Sequence, residues 1–122
     1  MKKILIVDDQ LEVRELVEVT LRIGDYEILQ AENGEQALAL ARSQKPDLIL
    51  LDVMMPGSDM DGIEVCRQLK GNPETARIQV VMLTAKSQET DVNAAKEAGA
   101  DEYFSKPFSP LELMRKVEEI LT

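Results

Sequence analysis

Four short apolar runs in this chain end in a residue that can do chemistry. Ile4-Leu5-Ile6-Val7 leads into Asp8-Asp9, Leu48-Ile49-Leu50-Leu51 into Asp52, Val80-Val81-Met82-Leu83 into Thr84, and Tyr103-Phe104-Ser105 into Lys106. Placed on neighbouring parallel strands, these ends bring three carboxylates, a hydroxyl and an ammonium to one edge of one sheet. Three carboxylates that close repel one another, and a hard divalent cation relieves the repulsion: Mg²⁺, with Mn²⁺ as the alternative. Such a metal beside an ammonium makes a receptor for a phosphoryl group. Asp52 follows the most apolar run and is the expected nucleophile, since a carboxylate can attack phosphorus to form an acyl phosphate. Lys106 is then placed to stabilise charge on the phosphoryl oxygens. Thr84 can donate a hydrogen bond to one of them, and the small Ala85 leaves its backbone N–H accessible.

Each of these residues also has an ordinary explanation. A carboxylate between a strand and a helix can cap the helix and favour its dipole. Threonine is common at strand ends, and a lysine there is usually solvated. An adjacent aspartate pair, joined by Asp52 after a central strand, goes beyond capping. The sequence contains neither G-x-x-x-x-G-K-[ST] nor G-x-G-x-x-G. With an anionic first loop in place of a glycine-rich one, phosphate must arrive with a cation, and nucleotide binding is disfavoured.

The elements that must position these residues are legible as periodicity. Strands are expected near 3–7, 26–31, 47–51, 79–83 and 102–105. Between them Val13, Leu16, Val17 and Leu21 share a helical face, as do Ala37, Leu38 and Ala41. Val65, Cys66 and Leu69 mark a third helix, Val92, Ala95 and Ala98 a fourth, and Leu113, Met114, Val117, Ile120 and Leu121 a fifth. Gly24, Gly71 and Gly99 suit left-handed positions that close helices. Asn33 suits an N-cap, and Ser109-Pro110-Leu111-Glu112 reads as a capping box with proline at the first helical position. Five β–α units in succession give a doubly wound α/β domain with a parallel sheet covered on both faces. The more polar Tyr26-Glu27-Ile28-Leu29-Gln30 fits an edge strand, and the run at 48–51 a central one. Ligands of such sheets bind outside the carboxyl ends of the strands.

Composition narrows the function classes. The chain has 122 residues, 44% of them hydrophobic, which suits one domain over 1–122. A single cysteine excludes an internal disulfide, and the absence of histidine disfavours a zinc site or His-based acid–base catalysis. Fourteen basic and 23 acidic side chains give a formal charge of -9, so direct binding to nucleic acid or to an anionic membrane is not expected. The four-residue run after Lys2-Lys3 is too short for a signal peptide, and no run approaches the roughly 20 residues of a membrane span. The expected compartment is the cytoplasm.

In order and spacing, these residues resemble the receiver domain of two-component response regulators. The resemblance covers the whole chain: Asp8-Asp9, L-D-V-M-M-P around Asp52, Asp61-Gly62, L-T-A at 83–85, G-A-D-E-Y-F at 99–104 and Lys106-Pro107-Phe108. It implies a flavodoxin-like sheet of strand order 2-1-3-4-5 with five helices on its two faces. It implies that Asp52 takes a phosphoryl group from a sensor histidine kinase or a histidine phosphotransfer protein. Asp9 and Asp52 would ligate Mg²⁺ with the backbone carbonyl of Met54, and Asp8 would act partly through water. Lys106 would contact the phosphoryl group, with a cis bond to Pro107 aiming it inward. Thr84 and Tyr103 would form a switch pair, reshaping the surface of the fourth helix, fifth strand and fifth helix for a downstream target, an output domain or a second copy of the chain.

Two departures from the family pattern stand out. The segment Pro56 to Gly62 is two residues longer than the usual spacing. Met54 and Lys86 flank the expected path of the hydrolytic water, and neither can act as a general base at neutral pH, so slow self-dephosphorylation is expected. An Mg²⁺-dependent phosphatase with an aspartate nucleophile is disfavoured, because Met54 stands where a second acid is needed. A receiver-like binding module that is never phosphorylated is disfavoured because the acidic pair, the acceptor and the lysine are all present. Met1-Lys2-Lys3 reads as a natural start, and the chain stops directly after the last helix. A stand-alone regulator and the receiver portion of a longer protein both remain open.

Overall fold

In the computed structural model, the described residues are 1–55, 60–85, 89–106 and 109–122, with the main chain alone at 84, 85, 89–92, 95, 105 and 106. They form β1 (Lys2–Val7), α1 (Leu11–Leu21), β2 (Tyr26–Ala31), α2 (Gly34–Gln44), β3 (Leu48–Asp52), α3 (Gly62–Gly71), β4 (Gln79–Ala85), α4 (Glu89–Ala98), β5 (Glu102–Lys106) and α5 (Pro110–Leu121). The strands pair in parallel in the order β2-β1-β3-β4-β5. This is the flavodoxin-like arrangement implied by the sequence, with the polar β2 at an edge and β3 at the centre.

The strand alternation divides the core into two layers. Ile4, Ile6, Leu48, Leu50 and Val81 pack with Val17 and Leu21 of α1 and Leu113 and Val117 of α5. Leu5, Val7, Ile49, Leu51, Val80 and Met82 face the other way, against Ala37, Leu38 and Ala41 of α2, Val65, Cys66 and Leu69 of α3, and Ala98 of α4. Every residue of β3 is buried. A strand sealed on both faces has no room for polar alternation, which is why it is written as a solid apolar run. Burial of each such side chain contributes roughly 1.5–3 kcal/mol. Cys66 sits in this layer, and burial pushes its thiol up to about 11.

Two sequence readings are corrected here. Leu16 does not share the buried face of α1: it is 54% exposed, and the buried residues of that helix are Arg14, Val17 and Leu21. The helix is rotated so that Arg14 enters the protein, for a reason that appears at the site. Among the described residues, the left-handed conformation is adopted by Gly99 (φ +99°) and Lys45 (φ +46°), not by Gly24 or Gly71. Lys45 closes α2, its N–H donating to the Ala41 carbonyl at 3.1 Å. Gly71 is the last residue of α3, and the extended Asn72 follows. Gly24 packs tightly beneath Tyr26, where an added Cβ would come within 2.5 Å of the ring. The side chains of Val92 and Ala95 lie outside the described residues.

The start signals hold. Asn33 Oδ1 accepts the Gln36 N–H at 2.8 Å, and Ser109 Oγ accepts that of Glu112 at 3.5 Å with Pro110 opening α5. Asp61 caps α3, accepting the Glu64 N–H at 2.9 Å.

Candidate metal and phosphoryl site

Register brings the carboxylates together. Val7 of β1 pairs with Leu51 of β3, so one step further along each strand Asp8 and Asp52 stand side by side. Both continue the stripes that face α1 and α5, and both are buried, at 1% and 6% exposure. Asp9 lies one residue on and is open to solvent. One carboxylate oxygen from each of Asp8, Asp9 and Asp52 lies within 4.8 Å of the others.

The pair does not cap α1. The N-cap is Gln10, which makes no side-chain cap hydrogen bond. Asp8 is instead held at three points. Its N–H donates to the Ala31 carbonyl at 3.2 Å, its Oδ1 accepts the Gln10 N–H at 2.9 Å, and its carbonyl accepts from Arg14 Nη1 at 2.6 Å. The β1–α1 turn is thereby tied to β2, to Gln10 and to the Arg14 side chain. Its acidic side chains project from a rigid base.

Asp52 ends the central strand. The Met54 N–H lies 3.4 Å from Asp52 Oδ1, while the Met54 side chain is exposed. Gly62 opens α3 directly over this strand end, its N–H donating to the Val53 carbonyl at 3.0 Å. A Cβ on Gly62 would fall 2.1 Å from the Asp52 carbonyl oxygen, so only glycine lets the helix come so close. Met60, just before it, is half-buried against the core cluster. Residues 56–59 of the longer loop lie outside the described residues.

On the other side of β3, Asp52 pairs with Leu83, Thr84 with Ser105 and Ala85 with Lys106. The main chain of Thr84 therefore stands one step beyond Asp52 on the next strand, and that of Lys106 two steps beyond on the strand after. The side chains of Thr84 and Lys106, together with Lys86 and the Lys106-Pro107 bond, lie outside the described residues. Tyr103 pairs with Met82 and is half-buried against the α2/α3/α4 layer. The Lys96 ammonium of α4 stands 5.3 Å from the centre of its ring, within cation–π range.

Hard carboxylate oxygens, partly buried and converging within a few ångströms, suit Mg²⁺ or Mn²⁺, and their mutual repulsion favours occupation. The sequence reading missed Arg14 and Lys96, and it quoted Gly62 within the Asp61-Gly62 motif without its role against Asp52. Arg14 could have been found as a cation in register with Val17 and Leu21. The close approach of Gly62 to the Asp52 carbonyl had no signal in the sequence.

The comparisons with known proteins agree with this geometry. The response regulator receiver domain family matches residues 4–118. The phosphate regulon transcriptional regulatory protein PhoB of Pseudomonas aeruginosa is 48% identical over 98% of this chain and 52% of its own length. The chain thus spans about half the length of the relatives it matches in sequence. Among solved structures, a response regulator from Chloroflexus aurantiacus superposes with a TM-score of 0.91 at 39% identity, covering 98% of this chain and 97% of that one. The chemotaxis response regulator CheY4 of Vibrio cholerae gives 0.89 at 32% identity, covering 98% of each. Among the described residues no helix is long and apolar enough to cross a membrane. With the acidic triad at the end of the central strand and the fold matched over nearly its whole length, the chain belongs to the receiver domain family of two-component response regulators.

Proposed function

We propose that this receiver is switched by phosphorylation of Asp52, with a histidine kinase or histidine phosphotransfer protein as donor. The observation that supports this most is the convergence of Asp8, Asp9 and Asp52 within 4.8 Å at the end of the central strand. An Asp52 carboxylate oxygen attacks the phosphorus of the donor phosphohistidine. The new O–P bond forms as the N–P bond breaks, and the imidazole leaves with the electron pair and takes up a proton. Asp9, Asp52 and the Met54 carbonyl are the proposed direct ligands of Mg²⁺, with Asp8 acting partly through water. A divalent cation held by these residues would neutralise charge on the phosphoryl oxygens. Lys106 and Thr84 are assigned to the same oxygens from β5 and β4.

The output assigned to this event is a population shift in a two-state element. Thr84 moves toward the phosphoryl group and the Tyr103 ring turns inward. The face made by α4, β5 and α5 changes for a protein target, an output domain or a second copy. Lys96 beside Tyr103 and Lys116, 3.9 Å from Glu102, belong to that face. The domain, taken as one unit over 1–122, acts as a cytoplasmic signalling module whose only chemistry is on itself. With Met54 and Lys86 assigned to the path of the hydrolytic water and neither able to act as a general base, the phosphorylated form is expected to outlast a few seconds with Mg²⁺.

Binding of a beryllofluoride complex tests the site without a kinase. With Mg²⁺, ¹⁹F NMR of the wild type should show a bound signal that Asp52→Asn lacks. Equal binding by both proteins would remove Asp52 from the assignment.

A further inference from the structure

Arg14 is buried, at 8% exposure, beside a site that would hold a cation. A cation taken out of water needs a compensating role, and its partners name one. Nη1 donates to the Asp8 carbonyl at 2.6 Å, and Nε donates to Gln30 Oε1 at 3.0 Å. Gln30 Nε2 donates to Glu18 Oε1 at 2.7 Å, and Glu18 Oε2 pairs with the exposed Arg22. The Gln30 hydrogen bond and the Arg22 charge hold the Glu18 carboxyl below its usual range, keeping it ionised. A chain of polar side chains thus runs from the surface end of α1, across β2, to the carbonyl between the two aspartates.

We propose that Arg14 is a positioning residue for the divalent cation. The Asp8 carbonyl belongs to the peptide plane that joins Asp8 to Asp9. Fixing that plane fixes how the Asp9 carboxylate is presented to Asp52. The Asp8 N–H and Oδ1 are tied to Ala31 and Gln10, and the Arg14 bond adds the carbonyl to the groups that hold this residue. A guanidinium, with donors in a rigid fork, can hold the carbonyl and Gln30 Oε1 at once; an ammonium cannot reproduce that geometry. The positive charge of Arg14 acts in the opposite sense, since any nearby cation opposes the arrival of Mg²⁺. Arg14→Lys separates the two effects, because it keeps the charge and loses the fork.

This inference rests on the proposed Mg²⁺ site, and the experiment separates the two. Mg²⁺ is titrated by calorimetry into wild type, Arg14→Lys and Gln30→Met, each checked for folding by circular dichroism. Labelling by acetyl phosphate is then followed across the same Mg²⁺ range. Arg14→Lys should bind Mg²⁺ roughly tenfold more weakly, the low end for groups that orient metal ligands. Its labelling rate should return to the wild-type value at saturating Mg²⁺. Gln30→Met leaves Arg14 in place but loosens it, and should shift the Mg²⁺ midpoint in the same direction by less than Arg14→Lys does. A purely structural role would lower stability and leave the Mg²⁺ midpoint of the folded protein unmoved. Wild-type Mg²⁺ affinity in folded Arg14→Lys, or in Gln30→Met should the lysine variant not fold, overturns the inference. Failure of the wild type itself to bind Mg²⁺ would overturn the metal site instead.

Discussion

The two halves of the strand-end rim are built differently. On the β1/β3 side, Asp8 and Asp52 are buried, and Asp8 is tied to Ala31, Gln10 and Arg14. On the β4/β5 side, Tyr103 is half-buried on an edge strand, and an exposed lysine stands over its ring. The first region has little freedom because both flanking strands are central and its main-chain groups are engaged. The second adjoins solvent, where a ring can exchange one packing for another at small cost. A switch needs both: a rigid place where charge changes, and a loosely held element that responds.

That contrast can be broken at its rigid end first. Gly62→Ala should be the most damaging small substitution, because its Cβ would fall 2.1 Å from the Asp52 carbonyl oxygen. A loss of about 3 kcal/mol, near the upper end for overpacking, is expected from urea denaturation. A loss below about 1 kcal/mol would mean that α3 can withdraw from β3 freely.

Next is Asp9→Asn, which removes one carboxylate from the cluster. Mg²⁺ affinity measured by calorimetry should fall at least about tenfold. Without divalent cation, the same variant should be more stable than wild type by roughly 1 kcal/mol, because one of three mutually repelling charges is gone. Opposite signs with and without metal are the signature of a site strained for its ligand. A variant destabilised in both conditions would show that Asp9 serves the fold.

The smallest effect should come from the loose side. Lys96→Ala removes an exposed cation–π contact and should cost about 0.5 kcal/mol. The Tyr103 ring resonances should shift while the Mg²⁺ affinity stays at the wild-type value. A weakened Mg²⁺ site would show that the two regions are coupled in the unphosphorylated state.

Much of this arrangement was legible from the sequence, and the exceptions have physical causes. Solid apolar runs at 4–7 and 48–51 announced strands sealed on both faces, and a strand's end is where its side chains reach a ligand. The central place of β3 followed from its composition. Helix rotation was harder to read. Leu16 fits an apolar stripe with Val13 and Val17, yet α1 buries Arg14 instead, because Asp8 and Gln30 offer the guanidinium partners. Periodicity counts apolar residues and cannot weigh a polar one that has found hydrogen bonds inside. Glycine type misled in the same way. Lys45 takes a left-handed turn that Gly24 and Gly71 do not, while Gly62 is required by a close approach that only the tertiary structure reveals.

The central claim is that Asp52 is the residue modified and that the acidic cluster makes it so. Intact-mass measurement after incubation with acetyl phosphate and Mg²⁺ tests it directly. Wild type should gain the mass of one phosphoryl group, lose that gain when Mg²⁺ is chelated beforehand, and show none as Asp52→Asn. Equal labelling of Asp52→Asn, or labelling of wild type indifferent to Mg²⁺, would contradict it.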